Sequence, residues 1–141
     1  MSGLSDIVAA TREEADAIDL ASPEPLAGGI HANAIDPVKL ASLETILTGA
    51  TFDEILSDMT AGYRRSDDDE VWLVGIRPRL VDALAAFGGL PNELSARWAL
   101  TPEWRLDRGT AENLAPLVAA LIRLAGEATV DGRNLYLRMA P

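Results

Sequence analysis

The sequence predicts a single α+β domain over residues 1–141, in which a small mixed sheet of three to five strands packs against several helices. Three observations carry that expectation. The chain is 141 residues long, which suits one hydrophobic core rather than two. Its residues are 48% hydrophobic, enough to fill such a core. The apolar pattern alternates between short runs of β-formers and longer stretches at helical spacing, each bounded by caps, prolines or glycines.

Residues 5–10 (Ser5, Asp6, Ile7, Val8, Ala9, Ala10) make a short apolar run suited to a buried strand. Thr11 can cap a following helix, with Glu14 reaching back to complete a capping box, and this helix is expected to extend to Leu20. Residues 21–34 contain Pro23, Pro25, Gly28 and Gly29 and read as a loop with a short strand near Ile30. Asp36-Pro37 starts a second helix, since aspartate caps free amides and proline has none to satisfy. Leu40, Leu43 and Leu47 recur on one face of it until Gly49 stops it. Thr51 and Glu54 offer another capping box, after which Phe52, Ile55, Leu56 and Met59 share one face and Asp53, Glu54 and Asp58 lie off it.

Residues 60–65 and 70–76 read as a hairpin about the polar turn Ser66-Asp67-Asp68-Asp69. Its second strand, with Val71, Trp72, Leu73, Val74 and Ile76, is nearly all apolar, as a strand covered on both faces is. Pro78 opens a helix with Leu80, Val81, Leu84 and Phe87 inward, ended by Gly88-Gly89. Residues 90–109, with Trp98 and Trp104, read as short helical pieces. A long helix follows from Ala111 to about Thr129, capped by Thr110 and carrying Pro116 near its start. After Asp131-Gly132, residues 134–139 alternate like a closing strand.

The chain carries 22 acidic and 12 basic residues, a formal net charge of -10. The charge is unevenly spread: residues 1–70 hold 15 acids and 4 bases, while residues 71–141 hold 7 acids and 8 bases. One lysine, Lys39, and scattered arginines do not make the basic patch that nucleic acid requires. No run of eighteen or more apolar residues stands out to span a bilayer, and residues 1–6 lack the pattern of a secretion signal, so a cytoplasmic protein without membrane contact is expected. The absence of cysteine removes disulfides and thiolate chemistry, and a single histidine removes multi-histidine metal sites.

No pair of carboxylates stands out as a hydrolase acid and base, and no serine elbow, P-loop or dinucleotide fingerprint is present, so no catalytic residue, metal or cofactor is assigned. The run Asp67-Asp68-Asp69-Glu70 has the wrong spacing for calcium and reads as a solvated hairpin tip. Three residues are candidates for holding an anionic ligand. Arg12 and Arg77 each stand where a strand gives way to a helix, in an echo between residues 7–18 and 73–84, and His31 lies on the glycine-bearing loop. Arg64, Arg65 and Trp72 are candidates for an interaction surface, because arginine and tryptophan are enriched at interface hot spots.

In residues 7–15 (IVAATREEA), residues 29–43 (GIHANAIDPVKLASL) and residues 132–137 (GRNLYL), the chain resembles small bacterial α/β proteins that have no assigned activity. That resemblance implies a compact bacterial α/β domain and brings no catalytic motif or cofactor with it. The leading functional expectation is a small interaction or regulatory domain, not an enzyme, whose acidic first half meets a basic protein partner. The competing expectation is a protein or enzyme that binds an anionic small molecule through Arg12, His31 and Arg77. A monomer or a homodimer fits both.

Overall fold

The computed structural model describes residues 4–21, 28–33, 35–60, 64–68 and 70–140. Five strands form one sheet: β1 (Leu4–Ala10), β2 (Ile30–Asn33), β3 (Arg64–Arg65), β4 (Trp72–Gly75) and β5 (Asn134–Ala140). Their order is β2-β1-β5-β4-β3 and every pairing is antiparallel. A mixed sheet was expected from the two strand-to-helix units. Both strands of those units, β1 and β4, do run the same way, but the C-terminal strand β5 inserts between them and pairs with each in the opposite sense.

Seven helices complete the fold: α1 (Arg12–Asp16), α2 (Pro37–Thr48), α3 (Phe52–Thr60), α4 (Pro78–Ala85), α5 (Pro91–Ala99), α6 (Pro102–Leu106) and α7 (Ala111–Asp131). Local chemistry explains most of their ends. The Asp36 carboxylate accepts from the Lys39 amide at 2.8 Å to start α2, and Gly49, at φ 76°, ends it in the left-handed conformation that glycine adopts freely. The Thr110 hydroxyl accepts from the Asn113 amide to start α7, which continues through Pro116 and ends at Gly132. α7 alone among the described helices is long and apolar enough to cross a membrane, yet its Leu114, Val118, Leu121 and Ala125 stripe is buried in the core.

Several expected elements are shorter than their sequence patterns: β4 holds only Trp72–Gly75 of residues 70–76, and α4 ends at Ala85, before Phe87 and the expected stop at Gly88-Gly89. α1 has the Thr11–Glu14 capping box but ends at Asp16 rather than Leu20. There the Arg64 guanidinium, from β3, donates to the Ala15 and Ile18 carbonyls at 3.0 and 2.5 Å and closes the helix. The first hairpin strand was expected from residue 60, but α3 runs through Thr60 and β3 holds only Arg64 and Arg65; residues 61–63 lie outside the described residues. Most of the expected loop before β2, residues 22–27 and 34, also lies outside them, as does Asp69 of the acidic turn.

The two faces of the sheet are covered unequally. On one, Ile7, Val74, Leu135 and Leu137 pack into a continuous core with α2, α3, α4, α5 and α7, centred on Trp98, whose side chain is fully buried. On the other, Ala10, Leu73 and Tyr136 form a small cluster with Ala15 of α1 and Leu20. β4 is therefore covered on both sides, as its unbroken apolar run predicts: Leu73 and Val74 are both buried.

Candidate functional site

The thinly covered face holds a polar row that crosses the sheet. Register places His31 of β2 opposite Asp6 of β1, Asp6 opposite Arg138 of β5, Arg138 opposite Leu73 of β4, and Leu73 opposite Arg64 of β3. Residues in register share a face, so their side chains meet. His31 Nδ1 lies 2.6 Å from one Asp6 oxygen, and Arg138 donates to the other at 2.5 Å. Asp6 and Arg138 are buried, and His31 is half-exposed. Burying a carboxylate and a guanidinium costs several kcal/mol each unless geometry returns it, and here each Asp6 oxygen has a short partner. The row can orient the single imidazole.

A second buried carboxylate lies on the other face. Glu44 of α2 is fully buried, with Arg77 Nε 3.2 Å away, and Arg77 also pairs with the exposed Asp58 at 3.3 Å. The angle to Glu44 is not that of a hydrogen bond, and neither of its oxygens has one among the described residues. Burial pushes the Glu44 carboxyl above the ordinary glutamate range, against the opposing pull of Arg77 and Arg79.

The third group surrounds Lys39, the only lysine, which is 2% exposed. Its ammonium pairs with Asp107, lies 3.8 Å from Asp36, and stands 4.5 Å above the Trp104 ring. Its carbonyl accepts from Trp98 Nε1 at 2.9 Å, and Trp98 meets Trp104 edge to face with ring centres 5.3 Å apart. These contacts fix the α6–α7 connection, which, with β2 and the start of α7, encloses a depression of about 700 Å³.

The residues singled out from sequence are dispersed. Arg12, at the start of α1, lines a different depression of about 430 Å³ between the ends of β1 and β5 and the start of α4. Arg133 beside it is engaged with Asp131 and with Glu14, whose carboxyl it holds down to about 2, helped by the Thr11 amide. His31 lies in the polar row and Arg77 between Glu44 and Asp58, so the three do not share one cleft. The strand-arginine-helix echo also leads to unlike surroundings, since α1 packs on the thin face and α4 in the main core. Of the interaction candidates, Arg64 caps α1, while Arg65 stacks on the half-buried Trp72 ring at 4.6 Å. Trp98 and Trp104 belong to the core.

Asp6, Arg138, Glu44 and Asp107 escaped the sequence reading. Only the alternation of a charged residue with apolar ones inside two strands, at Asp6 and Arg138, hints that a buried pair forms there. Compared with models of known families, with curated proteins and with solved structures, the chain matches none.

Proposed function

We propose that this chain is a small interaction domain that meets a basic protein partner through acids of its first half. The observation that carries the reading is how the fold gathers those acids. α1 and α3 flank the β3–β4 hairpin from opposite faces: Arg64 ties α1 to β3, and α3 packs its Ile55 and Met59 into the main core beside β4. Glu13 of α1, Asp53 and Glu54 of α3, and Asp67, Asp68 and Glu70 of the hairpin turn are all exposed on these elements. Of the four bases in the first half, Arg64 is bound to carbonyls and Lys39 is buried against Asp107, which leaves Arg12 and Arg65 exposed among more numerous acids. An exposed field of one sign raises the rate of encounter with a partner of the other and orients it.

The test compares proteins retained at low salt by the wild-type chain and by a variant carrying Asp53→Asn, Glu54→Gln and Asp67→Asn. A basic protein held by the first, released as salt rises and lost by the second, is the expected result. Retention of the same proteins by both chains would sink the reading. The three substitutions are at exposed positions, so folding should be unaffected.

A further inference from the structure

At the opposite end of the sheet from the acidic hairpin, β2 pairs, among the described residues, with β1 on one side only. Its other side therefore presents backbone N–H and C=O groups at alternate residues, the feature by which an edge strand accepts another chain. The 700 Å³ depression lies along that edge. Ile30, His31 and Ala32 all line it, yet successive strand side chains face opposite ways. Ile30 and Ala32 pack against the main core, whereas the His31 ring is bound to Asp6 on the other face, so the depression reaches β2 along its backbone. Leu114, Leu117 and Ala120 of α7 supply an apolar wall opposite.

Arg108 lines the same depression and is the one described non-glycine residue at positive φ, 58°. Its neighbours hold it there. Asp107 is bound to the buried Lys39, and Gly109 lies so close over Trp104 that a β-carbon would come within 2.7 Å of the ring. This left-handed residue caps the C-terminus of α6: the Arg108 amide donates to the Arg105 carbonyl at 3.3 Å and the Gly109 amide to the Trp104 carbonyl at 2.8 Å. Arg108 is exposed, and its guanidinium has no ion-pair partner among the described residues.

We infer that this edge takes up an extended, acidic segment of another protein as an added strand, with one carboxylate of the segment on Arg108. Main-chain hydrogen bonds to β2 would supply affinity and alternate side chains would rest on the α7 wall. The carboxylate is selected by charge complementarity: the guanidinium offers a planar fork of donors that matches it. This surface and the acidic one stand at opposite ends of the sheet, so neither proposal depends on the other.

The experiment selects extended peptides from a positional-scanning library on the full chain, on Arg108→Glu and on Arg108→Gly. The wild type should enrich alternating apolar peptides with one aspartate or glutamate, and Arg108→Glu should transfer that preference to lysine or arginine. Arg108→Gly relieves the backbone, so it should melt at a higher temperature while binding the selected acidic peptide about tenfold more weakly. Bound peptide should slow amide exchange in residues 30–33. The proposal is overturned by no enrichment over a blank surface, by a preference that Arg108→Glu leaves unchanged, or by protection that appears away from β2.

Discussion

The two faces of the sheet solve the burial of charge in opposite ways. On the thin face, Asp6 is buried between Arg138 and His31 with a short partner on each oxygen. On the helix-covered face, Glu44 is buried more completely but has only an ion contact with Arg77 and no hydrogen bond among the described residues. Strand register explains the difference: it sets residues side by side at a fixed spacing, so a row of complementary groups satisfies itself across the sheet. Helix packing leaves Glu44 wherever its turn of α2 falls, beside Arg77 but without a hydrogen bond among the described residues. A face with little cover can therefore hold a stable polar row, whereas a thick core holds a charged group at a standing cost.

The sharpest way to break this comparison is Asp6→Ala, which leaves Arg138 buried without its carboxylate and should cost about 3–5 kcal/mol in urea unfolding. Adding Arg138→Met to Asp6→Leu should recover most of that loss, because a matched apolar pair removes both desolvation costs. If the double variant is as unstable as the single one, the row is not a self-contained unit.

Deleting apolar volume on each face comes next in size. Leu137 and Leu73 are both fully buried, the first in the main core and the second in the small cluster. Leu137→Ala should cost roughly 3–5 kcal/mol and Leu73→Ala roughly 2–3, since a cavity under a thin cover collapses more readily. Equal losses in the two variants would show that the two covers are equally rigid.

The smallest effect concerns Glu44. Its folded carboxyl titrates above the ordinary glutamate value, so between those two values the folded state binds more protons than the unfolded state. Stability must then fall as pH rises through that window, and its contribution to stability is greatest below the ordinary value. Glu44→Gln should flatten this part of the stability curve, read from urea midpoints over a pH series. A slope that persists in the variant would assign it to another group.

Much of the architecture was legible because its causes are local. The Thr11–Glu14 box, Asp36-Pro37, Gly49 and Thr110 each act within about a turn of the chain and mark a boundary where the sequence places it, while α7 runs past the expected Thr129 to its Gly132 cap. Where a distant residue intervenes, the local signal misleads. α1 is expected to reach Leu20, but Arg64, 49 residues on from Ala15, binds the Ala15 carbonyl and that of Ile18 just beyond the helix. Likewise the echo of Arg12 and Arg77 is real as sequence, but the helices that follow pack on opposite faces.

The candidate sites were less legible for the same reason. Asp6 meets His31 across 25 residues and Arg138 across 132, separations at which no spacing rule operates. Arg108 gives no signal as a residue type, and its left-handed conformation comes from the hydrogen bonds that close α6, with Asp107 and Gly109 held on either side. By itself the sequence determined the fold class, nearly every element and the acidic bias of the first half, because periodicity, caps and charge are read along the chain. Tertiary structure alone decided that β5 separates β1 from β4, that Asp6 and Arg138 form a pair, and that β2 is the outermost strand among the described residues. Pairing register and sheet order are settled by contacts between residues far apart in sequence, whose energies depend on which partners the whole fold brings together.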